Sequence, residues 1–198
     1  RPVDLVIRKA TLVSHAGRGA GDVAIDQGRI VGLGQIGACT ANQNIDAKGL
    51  HLLPGVIDSQ VHFREPGNEH KEDLESGSRA AVMGGVTAVF EMPNTKPSTS
   101  TTAALADKIA RAKDRMWCDF AFYVGATGDN AESLADLELQ EGCCGVKVFM
   151  GSSTGDLLVS DDDALLRVLQ SGRRRVAIHA EDEERLLARQ GHRVAGDP

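Results

Sequence analysis

The chain has 198 residues, 41% of them hydrophobic and 25% charged, the make-up of an ordinary globular protein. A net charge of −6 argues against a general nucleic-acid binder, which carries a basic face; the one basic cluster, Arg173-Arg174-Arg175, reads as a solvated turn. No apolar run approaches the ~20 residues of a membrane span, so neither a nucleic-acid nor a membrane partner is expected.

The first elements are short, partly alternating apolar runs at residues 3–8, 11–13, 22–26 and 29–33, separated by glycine-rich breaks. “DQGRIVGLG” reads as a hairpin with Gly28 near its turn. Residues 1–50 are therefore expected to form a small all-β unit. From residue 51 the texture changes. Strand-like runs at 51–57, 86–91, 117–124, 144–150 and 175–180 alternate with helical patterns at 72–83, 100–114, 130–140, 161–171 and 181–190. The second helix opens on Ser/Thr capping candidates and repeats apolar residues at Leu105, Ile109 and Ala112. The fourth has a cap and acidic first turn at Ser160–Asp163 and Gly172 just past its end.

Strand and helix alternating in this way predict a parallel sheet, because each parallel crossover needs a helix. Open doubly wound sheets and closed barrels both fit. The unusual residues separate them. “DSQVH”, “EMPN”, “YVGAT”, “KVFMGS” and “HAED” all follow or close a predicted strand, and polar chemistry gathered from many strand ends is the barrel arrangement. No glycine-rich dinucleotide fingerprint follows the first strand.

Six residues at these strand ends bear on the chemistry of a site. Gln60 and His62 lie two apart, so their side chains share one side of the strand. His62 fits either a structural histidine or a ligand. Lys147 is embedded in apolar “CGVKVFMG”; it either snorkels its ammonium outward or is buried so that it loses its charge. A neutral amine can combine with carbon dioxide to give a carbamate, an anionic oxygen ligand. His179 closes a strand, with Glu181 and Asp182 suited either to orient it or to open the next helix. Arg64 can grip a carboxylate with its planar fork, or form a surface salt bridge with Glu65. Asn94 both donates and accepts, and fits ligand recognition or a turn. The four cysteines match no zinc or redox spacing and read as small buried hydrophobes in a reducing compartment. With no signal peptide, a cytoplasmic location is expected; the opening “RPVDLVIRKA” lacks methionine, so a start slightly upstream is expected.

Taken together, “GVIDSQVHFREPG”, “AVFEMPNTKP”, “GVKVFMGSSTG” and “VAIHAEDE” stand in the order and spacing of dihydroorotase. The chain resembles the longer-chain type of that enzyme, in the amidohydrolase superfamily, over essentially its whole length. The resemblance implies an α/β fold: residues 1–50 as a share of a small β-sandwich, and residues 51–198 as the first half of a (β/α)8 (TIM) barrel. It implies interconversion of N-carbamoyl-aspartate and dihydroorotate in pyrimidine biosynthesis. His62, carboxylated Lys147 and His179 would hold one or two zinc ions, and Arg64 and Asn94 the substrate carboxylate. A homo-oligomer or association with a carbamoyltransferase is in keeping with the family. The alternatives are a dihydropyrimidinase, hydantoinase or allantoinase, whose substrates lack the carboxylate, and a non-catalytic homologue. Two departures matter. Gln60 stands where the family pairs a second histidine, so a weakened first-metal site is expected. The chain ends at “VAGDP” after about five barrel strands, before the family's catalytic aspartate, so these 198 residues alone are expected to be inactive.

Overall fold

A computed structural model describes residues 1–151, 155–192 and 194–196. The end of “GVKVFMGSSTG”, residues 152–154, lies outside the described residues. The chain forms two compact units, Arg1–Gly55 and Val56–Pro198.

The first unit is a five-stranded sheet of β1 (Val3–Ser14), β2 (Gly17–Asp26), β3 (Arg29–Gly34), β4 (Ala41–Asp46) and β5 (His51–Leu52). The expected runs at 3–8 and 11–13 are one strand. What interrupts their pattern is a bulge between Ile7 and Ala10. There Lys9 takes φ +60° and donates its amide to Asp22 at 2.9 Å, while Arg8 pairs with the same carboxylate at 2.7 Å. The β2–β3 hairpin turns on Gln27 and Gly28, both at positive φ, as a two-residue turn of the strand-matching hand requires. The polar strand β4, which no apolar alternation announces, pairs in parallel with β1. The run expected at 51–57 divides: His51–Leu52 pairs with β1, and the chain resumes a strand only at Val56, after Pro54.

The second unit is an all-parallel sheet of β6 (Val56–Val61), β7 (Val86–Glu91), β8 (Asp119–Gly125), β9 (Cys143–Phe149) and β10 (Val176–His179), paired strictly in chain order. Helices α1 (Leu74–Met83), α2 (Thr102–Ala112), α3 (Leu134–Leu137) and α4 (Asp162–Ser171) fill the crossovers, and α5 (Glu183–Arg189) follows β10. A doubly wound sheet reverses its strand order at a switch point; this one never does, so it is a barrel wall. The core lies between strands and helices, with Leu74, Val89, Leu105, Phe122, Val124, Leu134, Val148 and Val168 all buried. Caps fall where hydroxyl and carboxylate side chains allow: Asp73 on Ser76, Thr101 on Ala104, Asp161 on Ala164. The helix expected over 130–140 shortens to a 3-10 turn, Ala131–Ser133, followed by the single turn of α3. Asn130 turns its side chain back to the Thr127 amide and the Gly125 carbonyl, and does not cap it.

Other expectations needed correction. Only Cys143 among the four free cysteines is buried; the rest are half-buried. The arginine run is more than a solvated turn, because the Arg173 and Arg174 amides both donate to the Glu138 carboxylate, at 2.7 and 3.0 Å. No described helix is long and apolar enough to cross a membrane.

Helix α1 meets the chain just after β6 through Phe63, whose buried ring lies over Gly77. A Cβ at position 77 would come within 2.4 Å of that ring. Gly77→Ala should therefore destabilise the protein by ~1–3 kcal/mol despite alanine's better helix propensity. Urea denaturation measures it, and an unchanged midpoint would show that Phe63 has room to move.

Candidate active site

Parallel pairing brings the carboxyl ends of all five strands to one rim. His62 and Arg64 follow β6, and Asn94 follows β7. Lys147 pairs with Gly125, the last residue of β8, and His179 with Phe149, the last residue of β9. Two loops at this rim are joined directly: the Lys96 amide donates to the Pro66 carbonyl at 2.8 Å. Gly67, at φ +97°, permits it, since a Cβ there would lie 2.4 Å from the Lys96 carbonyl oxygen.

His62 Nδ1 lies 2.9 Å from Asn94 Oδ1. An amide oxygen only accepts, so this contact is a hydrogen bond only with a proton on Nδ1, which in the neutral ring leaves the lone pair on Nε2. Burial holds the His62 pKa below its ordinary value; the Asn94 bond opposes this, and the positive charges of Arg64, Lys147 and Lys108 reinforce it.

Lys147 is 2% exposed. It does not snorkel. Among the described residues its ammonium has no hydrogen bond or ion pair; its neighbour is the Phe149 ring, 4.8 Å away. Burial alone pulls its pKa down. The same ring lies 6.1 Å from that of His179, so Phe149 links the lysine to the second histidine.

His179 is half-buried, with Nε2 3.0 Å from Glu181 Oε1. The two acidic residues after it divide the roles expected of them. Glu181 contacts the imidazole, and Asp182 caps α5 by accepting from the Arg185 amide at 2.9 Å.

Arg64 does not pair with Glu65. That carboxylate is buried and takes both Arg115 nitrogens, at 2.8 and 3.1 Å, and the Leu74 amide at 3.0 Å. The Arg64 backbone, at φ +68°, carries the strain of a left-handed non-glycine residue, and its half-buried guanidinium has no ion-pair partner among the described residues. Beside Asn94, a cleft of about 350 Å³ is lined by Lys96, Ser98 and Asp156.

Two functional candidates escaped the sequence reading. Glu91 ends β7, and Lys108 lies on the inner face of α2 with Leu105 and Ala112; the two form an ion pair with both side chains almost wholly buried. Burial pushes the Glu91 carboxyl up to about 7 against the pull of Lys108, and lowers the Lys108 ammonium. The visible signal was a lysine at helical spacing on an apolar face.

The metal fit is partial. Gln60 is exposed on β6, its backbone N–H donating to the Asp58 side chain at 3.0 Å. Among the described residues no three His, Cys, Asp or Glu side chains gather as a metal cluster. Among the described residues, two imidazoles and one buried amine stand at this rim without a closed donor set.

A barrel wall with imidazoles, a buried lysine and a free arginine at its carboxyl rim defines a class of (β/α)-barrel proteins with rim chemistry. The amidohydrolase family profile matches residues 51–187, and the chain belongs to that family. It is 36% identical over 187 residues to an allantoinase of Deinococcus radiodurans, covering 92% of this chain and 42% of that protein. It is 41% identical over 187 residues to a dihydroorotase of Halobacterium salinarum, covering 91% of this chain and 42% of that protein. The chain thus spans 42% of the length of either relative. The fold matches an L-hydantoinase of Arthrobacter aurescens with a TM-score of 0.87 and 28% identity, over 96% of this chain and 43% of that one.

Because the neutral form of His62 is favoured in the fold, its contribution to stability is complete above about pH 6.5 and is lost as the pH falls below that value. Ring NMR should give a titration midpoint below 6.5, lowered further in Asn94→Ala. A midpoint at or above the ordinary value would contradict this electrostatic account.

Proposed function

We propose that the chain is the N-terminal share of a cyclic-amide hydrolase of the dihydroorotase type, acting on a small ring substrate that carries a carboxylate. The observation that carries the reading is Lys147: a buried lysine without a counter-ion among the described residues, its charge disfavoured, at a rim that also holds His62 and His179. Burying an ammonium without a partner is costly, so the site favours a neutral amine. Such an amine adds to carbon dioxide, forming an N–C bond and losing one proton, and the product is an anionic carbamate.

His62, through Nε2, the Lys147 carbamate and His179 would then be this chain's donors to zinc, with the remaining donors supplied by other parts of the protein. Zinc held there would polarise the scissile carbonyl and acidify water. Gln60 offers a weak amide oxygen where an imidazole would bind well, which leaves the first-metal position short of a donor. His62 and Lys147 serve the chemistry, while Arg64, with Asn94 beside it, binds the substrate.

Arg64 is what favours dihydroorotate over uncharged rings. The residue is half-buried without an ion pair among the described residues, which suits a carboxylate arriving with the substrate. The similarity to an allantoinase and an L-hydantoinase supports the second reading, a hydrolase of rings without a carboxylate.

In the full-length protein, Arg64→Met should lower kcat/KM for dihydroorotate by ~2–5 kcal/mol, as for one side of a desolvated charge pair. Turnover of allantoin or a hydantoin in preference to dihydroorotate would establish the second reading. No turnover of any ring would mark a non-catalytic homologue.

Lys147 has its own test. With 13C-labelled bicarbonate, the full-length protein should show a carbamate carbon resonance that is missing in Lys147→Arg. Identical spectra for the two proteins would remove the carbamate from this account.

A further inference from the structure

The loop that carries Asn94 stands on a single buried cation. From α2, the Lys108 ammonium meets the Glu91 carboxylate, the Met92 carbonyl at 3.0 Å and the Thr99 hydroxyl at 3.2 Å. Two of these contacts are hydrogen bonds and the third is an ion pair, so the ammonium faces three oxygen atoms. Its other neighbour is the Phe122 ring, 5.3 Å away. Glu91 and Met92 are the near foot of the loop after β7, and Thr99 is the far foot, so both feet are tied to one point on α2.

Between the feet the backbone is laced to itself. The Thr95 and Thr99 amides both donate to the Pro93 carbonyl, at 2.9 and 3.0 Å, and the Thr95 hydroxyl donates to the Pro97 carbonyl at 2.9 Å. The outer contacts are the Gly125 amide on the Thr99 carbonyl at 2.8 Å and the Lys96–Pro66 bond already described. The Asn94 side chain projects from this loop onto His62.

Stability alone does not call for such a pair. Replacing a buried ion pair with well-packed apolar groups is often neutral or stabilising, because two charges lose their water. Apolar groups would not, however, give the Met92 carbonyl and Thr99 hydroxyl a fixed direction.

We propose that the Lys108–Glu91 pair is a positioning device: by tying both feet of the loop it holds Asn94 Oδ1 against His62 Nδ1, and so keeps the ring proton on Nδ1 and the lone pair on Nε2. Lys108 and Glu91 act through Asn94 and are positioning residues. The value of this arrangement to a metal or a substrate rests on the hydrolase reading, whereas the tie itself does not.

The experiment is 15N NMR of the His62 ring in the metal-stripped full-length protein, assigned with His62→Gln. The wild-type ring should be mainly the Nδ1–H tautomer. In Lys108→Met that form should become the minority, and Asn94→Ala should give the same loss. A lysine with a merely structural role would lower the unfolding midpoint and leave the tautomer unchanged. A folded Lys108→Met protein with the wild-type tautomer overturns the proposal, as does Asn94→Ala with that tautomer retained. Lys108→Met leaves Glu91 buried without its partner. If that variant does not fold, Glu91→Gln/Lys108→Met carries the same test without an orphan charge, and Thr99→Val removes one tie while keeping the pair. A full-length protein that hydrolyses no ring would count against the proposed function and leave the tautomer result readable.

Discussion

Parallel pairing in unbroken chain order, from β6 to β10, delivers the carboxyl end of every strand to the same rim. The rest of the site depends on that constraint. His62, Arg64, Asn94, Lys147 and His179 are spread over more than one hundred residues of sequence, and no local element brings any two of the strands' contributions together. Register refines the placement: Lys147 lies inside β9, yet its partner Gly125 is the last residue of β8, which puts a mid-strand lysine at the mouth.

Two lysines at this end of the barrel wall show how environment decides the use of one chemical group. Lys108 is buried against the Glu91 carboxylate with hydrogen bonds to the Met92 carbonyl and the Thr99 hydroxyl, and it ties a helix to a strand end and a loop. Lys147 is buried with an aromatic ring for company and no acceptor among the described residues. Desolvation acts on both ammonium groups in the same direction. The first is compensated by a carboxylate and dipoles. The second has no such compensation, and that asymmetry separates a scaffold cation from an amine whose charge is disfavoured.

Glu65 and Arg64 repeat the contrast with opposite charge. The buried carboxylate is taken up by Arg115 and the start of α1, which fastens the first rim loop to one helix and to the turn after another. Its sequence neighbour, Arg64, is thereby left without that partner. Adjacent opposite charges in a sequence need not meet: the backbone at Arg64 has φ +68°, and Arg115 occupies the carboxylate.

Alternating apolar texture, helix caps and glycine turns determined most of the elements by themselves, because strand and helix periods are local. β7 runs over Val86–Glu91 as its pattern reads, and α2 begins after the Thr101 cap. Strand-end polar residues likewise made the rim legible. Local pattern missed β4, whose polar “ANQNID” is a strand only because β1 offers it hydrogen bonds, and overestimated α3, where Asn130 turns its side chain back to the chain. Tertiary structure alone decided that Lys147 is buried without a partner, that Glu65 belongs to Arg115, that Asn94 faces His62, and that Glu91 meets Lys108. Each of these is a contact or a desolvation between segments distant in sequence. Its energy depends on which groups the fold brings within ångströms of one another, and no window of neighbouring residues contains that information.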